Sequence, residues 1–380
     1  MANVLQVYAL LNEVASQSMG EKAVSVVDGG SFTALGDEVL SSATNKENFM
    51  NALVDRIGRT IFSVRNYRAI DTSIVKHPFE YGCILQKIYV ELPDAKPNNA
   101  WEIGKEDYKP EFAPVIKANV KQKLFNKINT WEIDCTIPDY MLRTAFTSAE
   151  KMGAFISAIF VAMDNRMEQA LENSIDITRS AFIARKINGA KPCGAINLLH
   201  EYNTLTNAGL TVDSCLRNTD FLKWCASELS KWAKRMARMS VVFNEEGYQR
   251  HTPYENLVVN VLQDFASATT AFLQADTYHK EMVSLPKYSE VPYWQGSGES
   301  FAFEDTSKID IKLSDDVTVT KSGIIAVMYD EQAMGVTMND RRSTSERNNK
   351  DEYTDYFNKA DIGYFNDMSE NGIVFFIEEA

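Results

Sequence analysis

Residues 124–160 read LFNKINTWEIDCTIPDYMLRTAFTSAEKMGAFISAIF, and the fold class turns on a change of character inside this stretch. Up to Ile137 it continues an extended segment that starts at Pro114 and is rich in polar side chains: Lys117, Asn119, Lys121, Gln122, Lys123, Asn126, Lys127 and Asn129. Too few apolar residues remain for a two-sided core. The segment predicts a long hairpin that projects from the body and finds its burial against a partner. Pro138 and Asp139 then break the pattern, and Ser148 opens a helical run to about Arg185. Met152, Phe155, Ile156, Ile159, Phe160, Met163, Met167, Ala170, Leu171 and Ile175 recur at steps of three and four, the period of one helix face. At about 1.5 Å per residue such a helix spans on the order of 55 Å, far longer than the usual globular helix of about 11–12 residues. An extended segment thus gives way to one long helix within this stretch.

Upstream, CILQKIYVEL (83–92) is a strand candidate, and Pro93, Pro97 and Asn98-Asn99 mark a loop after it. Residues 2–18 predict a short amphipathic helix, and Gly29-Gly30 a break. Thr44 and Glu47 form a T-x-x-E capping box opening a helix through FMNALVDRI that stops at Gly58. The apolar patches of this N-terminal part are small and separated. It is expected to lie on other parts of the protein or on neighbouring copies. Downstream, Gly189, Pro192 and Gly194 make the best internal boundary. A helix over 219–240, a buried strand at 256–262, a helical stretch at 266–283 and short strands at 309–313 and 324–329 follow. The tail GIVFFI (372–377) is too apolar to dangle and must join a sheet.

The chain has 380 residues and a net charge of −13, from 39 basic and 52 acidic side chains. A protein built to grip phosphates is usually basic, and this one as a whole is not. The five cysteines, Cys83, Cys135, Cys193, Cys215 and Cys225, contain no C-x-x-C pair, and an odd count is a poor disulfide framework. The beginning, MANVLQVYALLNEVASQ, lacks the basic n-region of a signal peptide. No run of about 18 apolar residues is present, so no membrane partner is expected.

Chemistry is hard to find. His77, His200, His251 and His279 stand apart from one another and from cysteines at metal-ligand spacing. There is no G-x-S-x-G elbow, phosphate loop or dinucleotide fingerprint. Asp340-Arg341-Arg342, with Arg347 and Lys350, could form a nucleic-acid patch, but Asp351, Glu352 and Asp355 follow at once. A mixed-sign exposed or inter-subunit segment is expected there. No catalytic residue, metal ligand or cofactor is assigned, and an enzyme is not expected.

The order of these features resembles the major capsid fold of tailed phages, the Hong Kong ninety-seven or Johnson fold, and the resemblance implies an α+β fold class. ALVDRIGRTI (52–61), the stretch at 124–160 and SERNNKDEYTDYFNKADIGYFND (345–367) are similar to the phi-twenty-nine-like podophage group. The resemblance implies an N-terminal arm (1–70), an E-loop hairpin with its flanks (71–137), a P-domain with the spine helix (138–190), an A-domain (191–325) and a return to the P-domain with the terminal strand (326–380). It implies a virion shell protein, assembled in the bacterial host cytoplasm as hexamers and pentamers of an icosahedral or prolate head around double-stranded DNA. Scaffolding and portal proteins are the implied partners, and DNA is held without sequence-specific binding. The best-known member carries an added immunoglobulin-like domain, whereas this sequence reaches Ala380 directly after GIVFFI, so that domain's role is not carried over. An encapsulin-type compartment shell and a soluble enzyme are the rival expectations.

Two groups of residues carry specific expectations. Phe155, Ile159 and Met163 should pack the spine helix on a sheet that includes the terminal strand. Lys117, Lys121, Lys123 and Lys127 share parity, so a regular strand projects them from one face. They should meet carboxylates of a neighbouring copy or stand solvated.

Overall fold

The computed structural model describes residues 4–20, 24–42, 44–53, 74–76, 85–91, 119–126, 128–189, 191, 193–274, 287–295 and 304–379. In chain order the elements are α1 (Val4–Met19), α2 (Gly29–Leu40), α3 (44–53), β1 (Leu85–Val90), β2 (Val120–Phe125), β3 (Ile128–Pro138), α4 (Asp139–Ala145) and α5 (Ala149–Asn188). Then come β4 (Ala195–Asn197), α6 (Leu198–Thr206), α7 (Val212–Cys215), α8 (Thr219–Met236), β5 (Leu257–Leu262), α9 (Gln263–Gln274), β6 (Tyr288–Val291), β7 (Ile309–Ser314) and β8 (Val317–Lys321). β9 (Ile324–Asp330), β10 (Met334–Asn348), β11 (Tyr353–Asn366) and β12 (Gly372–Phe376) close the chain. They group into two compact units, one of residues 1–79, 128–176 and 336–363, the other of 80–127, 177–335 and 364–380.

In the first unit β10, β11 and β3 form a sheet in that order, with β11 antiparallel to β3 from Tyr353 opposite Pro138 to Gly363 opposite Ile128. The sequence pattern missed β10 and β11, because their many charged residues hide the alternation. The N-terminal helices are more than a thin arm. Val7, Leu11 and Val14 of α1, Leu35 and Val39 of α2, and Phe49 and Leu53 of α3 share one buried cluster with Leu142, Phe146 and Tyr356. Gly29-Gly30 opens α2 instead of merely breaking the chain. The side chain of Asp28 accepts from Ser31 N–H at 2.8 Å, and Ser31 Oγ accepts from Asp28 N–H at 3.0 Å, a reciprocal cap. Ser42 Oγ accepts from Asn45 N–H at 3.1 Å, so the cap of α3 comes from Ser42, two residues before Thr44. Arg347, from the mixed-charge run, lies on β10 and donates to Asp139 at 3.0 Å beside Lys46 at 2.9 Å.

The second unit holds a five-stranded sheet of order β4-β12-β9-β5-β6. β12 runs parallel to β4 and antiparallel to β9, so the apolar tail is an interior strand. β5 and β9 are buried along their whole length, which is why they read as continuous apolar runs and not as alternation. On one side α8 contributes Leu222, Cys225, Leu229 and Met236 to a core with Val259, Met328 and Phe375. Phe182, near the end of α5, abuts β12. A Cβ on Gly372 would fall 2.6 Å from the Phe182 ring, so glycine is required there. Gly323, at φ +78, turns so closely that a Cβ would lie 2.2 Å from the Ile377 carbonyl oxygen.

The spine-helix expectation needs correction. Met163 is buried against the sheet of the first unit, where Asn358 of β11 reaches its sulfur at 3.8 Å. The terminal strand belongs to the other sheet, and Phe182, five turns further along α5, abuts it together with Lys186. The 40 residues of α5 are divided between the two units at residue 176. The side chains of Phe155 and Ile159 lie outside the described residues.

Candidate assembly interface

The extended segment after Pro114 is two strands with different partners. β3 joins the first unit's sheet, whereas β2 pairs antiparallel with β1 in the second unit, from Leu85 opposite Phe125 to Val90 opposite Val120. The ladder continues with Glu91 N–H donating to the Asn119 carbonyl at 2.9 Å. Alternation along β1 and β2 sends two sets of side chains to opposite faces.

The inner face carries Lys87 and Tyr89 from β1 and Lys121, Lys123 and Phe125 from β2. Lys87 faces Lys123 directly across the ladder. Their charges are taken up within the same chain. Asp367 Oδ2 accepts from Lys87 at 3.0 Å and Oδ1 from Lys123 at 3.0 Å. Lys87 also reaches Glu370 at 3.2 Å, and Lys123 also pairs with Glu246. Arg250 donates to Glu370 at 3.0 Å and lies 4.8 Å over the ring of Tyr89. Tyr89 stacks on Tyr248 at 4.4 Å, and Lys121 sits 4.6 Å over that same ring.

Electrostatics follow from burial and pairing. Burial alone would favour the neutral form of Asp367, but Lys87 and the bonds from Ser369 hold its pKa at about 2. Burial lowers the Lys123 pKa, and the hydrogen bonds to Glu246 and Asp367 more than offset this, leaving it raised. Glu370 keeps a raised pKa, because its burial outweighs Lys87 and Arg250.

The outer face is the reverse of what soluble hairpins show. Ile88 is 64% exposed, Val90 48%, Val120 57% and Leu124 59%, and the residues between them are Gln86 and Gln122. Four large apolar side chains and no charge face outward, while the lysines face inward. Parity did predict a shared face for the lysines. Lys121 and Lys123 are on it, and both find partners in their own subunit. Lys117 and Lys127 lie outside the described residues. Only three-dimensional partners such as Asp367 and Glu370, more than 240 positions away, reveal which face is inner.

The first unit presents an open cleft of about 630 Å³ between β3 and α5, lined by Trp131, Ile133, Cys135, Met163, Arg166 and Ala170 among others. Its thiol is unsuited to nucleophilic work, since burial and the charge of Asp355 raise the Cys135 pKa, whereas a reactive cysteine needs it lowered. Among the described residues no His, Cys, Asp and Glu group could hold a metal ion, and no helix is long and apolar enough to cross a membrane.

Known proteins share this fold. A capsid chain of Staphylococcus phage Andhra superposes with a TM-score of 0.52 at 9% identity, covering 83% of this chain and 88% of that one. A chain in the structure of the head fiber and inner core protein gp22 of native bacteriophage P68 gives a TM-score of 0.51 at 10% identity, over 80% and 83%. The α+β architecture is thus that of tailed-phage capsid proteins. The curated major capsid protein of Bacillus phage GA-1 is 25% identical over 166 residues, 43% of this chain and 34% of that protein, so the match spans about a third of the relative. The family model described as Phi29-like phage major capsid protein matches residues 9–376, nearly the whole chain, and the chain belongs to that family.

Proposed function

We propose that this chain is a shell subunit whose copies assemble as hexamers and pentamers of a phage head around double-stranded DNA. The parts assigned from sequence take their roles in that shell: an arm at 1–70, an E-loop with its flanks at 71–137, a spine-helix region at 138–190, an A-domain at 191–325 and a returning segment at 326–380. Scaffolding and portal proteins are the partners of assembly in the host cytoplasm, and DNA is enclosed without base-specific contacts. Family membership supports the shell role, and one observation carries the assembly reading, the inverted β1–β2 hairpin.

A monomer that left Ile88, Val90, Val120 and Leu124 in water would forgo roughly 1.5–3 kcal/mol for each large side chain it could bury. An exposed apolar face rimmed by polar residues marks a binding surface. The charged inner face is already partnered, so we place the inter-subunit contact on the outer face, against a second copy of this chain. The expectation for Lys121 and Lys123 becomes a supporting role, while Lys117 and Lys127 stay outside the described residues. Lys121 and Lys123 hold the hairpin from behind while its apolar side meets the neighbour.

The test is assembly with a scaffolding partner, followed by sedimentation and electron microscopy. Wild type should form closed particles, and Ile88→Lys with Leu124→Lys should leave folded 42.8 kDa monomers. Normal particles from the double variant would remove the hairpin from the interface. A wild type that stays monomeric under every condition would overturn the shell reading itself.

A further inference from the structure

Asp367 stands just past the end of β11, and its surroundings hold it still. Its backbone N–H donates to the Ala333 carbonyl at 2.7 Å, and its Oδ1 accepts from Ser369 N–H at 3.0 Å and Ser369 Oγ at 2.7 Å. Its side chain is wholly buried. Across from it the ladder sets Lys87 and Lys123 directly opposite each other, an arrangement in which like charges repel. Asp367 resolves this by taking one ammonium on each oxygen, both at 3.0 Å. The neighbouring acids touch one strand apiece, Glu370 reaching β1 through Lys87 and Glu246 reaching β2 through Lys123. Among the described residues Asp367 is the carboxylate that joins both strands to the body. A single point of attachment would let a two-stranded hairpin pivot, and two points on one fixed group define its direction.

We propose that Asp367 is the positioning residue of the assembly hairpin: by clamping Lys87 and Lys123 together it fixes the direction in which the apolar outer face is presented to the next copy. The consequence for assembly rests on the function proposed above. The clamp itself is read on unassembled chain, so the two can fail separately. A clamp of this kind is also economical in sequence. The aspartate lies on the loop between β11 and β12, and the interior strand β12 fixes that loop to the five-stranded sheet.

The experiment is hydrogen exchange on the full chain before assembly, paired with particle formation. Asp367→Asn keeps an oxygen for Ser369 and removes the charge. Amides of 85–90 and 120–125 should exchange at least tenfold faster, with those of 257–262 and 324–330 unchanged, and particles should be fewer and irregular. Lys123→Gln is the second variant, at a partly exposed position outside both buried apolar clusters. It turns the two-point clamp into one point and should raise exchange in the hairpin by a smaller factor. Hairpin exchange equal to wild type in both variants would overturn the clamp. So would faster exchange throughout the five-stranded sheet in Asp367→Asn with none in Lys123→Gln, which would make the aspartate merely structural. If the hairpin loosens and particles still form normally, Asp367 does not set the aim. If Ile88→Lys with Leu124→Lys blocks assembly while Asp367→Asn changes nothing, the interface stands and the proposal for Asp367 falls.

Discussion

The β1–β2 hairpin and the five-stranded sheet belong to the same compact unit and use their apolar residues in opposite ways. In the sheet, β5, β9 and β12 bury both faces in their own chain. In the hairpin the apolar face is turned out, and the face toward the body is made of lysines, tyrosine and phenylalanine set against carboxylates and rings. The sheet buries its apolar side chains within the subunit, and in the function proposed above the hairpin keeps its own for another copy. The difference also explains the charge pattern. A surface meant for a partner cannot be crowded with solvated charge without a desolvation cost, so the charges that hold the hairpin sit behind it.

The sharpest way to break this division is to attack the sheet. Val374→Asp would place an unpaired carboxylate on a buried face of the sheet, at the strand between β4 and β9, with a cost on the order of 4 kcal/mol. Insoluble protein is the expected result, and deletion of 372–380 should do the same. A soluble, cooperatively melting variant would mean that β12 is dispensable.

Next in size is a pH effect under the same sheet. Lys186 is fully buried, donates to the Phe243 carbonyl at 2.8 Å and packs against Gly372. Burial pushes its pKa down to about 8, against the pull of Glu245, from an ordinary value of 10.5. Between those two values the unfolded chain binds more protons than the folded one, so stability should rise with pH in that window. The penalty is fully present below about pH 8, and its relief is worth up to about 3 kcal/mol. Urea midpoints at pH 8 and pH 10 should show the rise in wild type, and Lys186→Met should reduce it. Equal slopes in the two proteins would mean that the amine is not held in its buried site.

The hairpin should give the contrast. Ile88→Lys with Leu124→Lys removes exposed apolar groups only, so stability should change by no more than about 0.5 kcal/mol while particle formation is lost. A large drop in melting temperature would show that the outer face already packs in the monomer, and the comparison would collapse. Smallest in its effect on assembly is Lys121→Ala, which removes a half-exposed cation from over the Tyr248 ring for about 0.5 kcal/mol. Its effect should appear as slightly faster exchange in β2, with the sheet untouched.

Some of this was legible from the order of residues. Periodicities that depend on a residue's immediate neighbours were readable: the long helix, observed over Ala149–Asn188; the buried strands β5 and β9; and the terminal strand at Gly372–Phe376. They survive because each is marked by its own residues, the helix by spacings of three and four and the strands by continuous apolar runs. The shared face of Lys121 and Lys123 was equally local, since it follows from strand geometry alone. What the order of residues left undecided was everything set by distant partners. β2 and β3 read as one extended run, and only their pairing with β1 and with β11 separates them. β10 and β11 were hidden because their charges, Arg347 with Asp139 and Lys359 with Glu132, are neutralised across the fold and not along the chain. The direction of the hairpin is the clearest case. Strand alternation assigns two faces but not which one is inner, and that choice was made by Asp367, Glu370 and Glu246, charges that tertiary structure alone brings to Lys87 and Lys123.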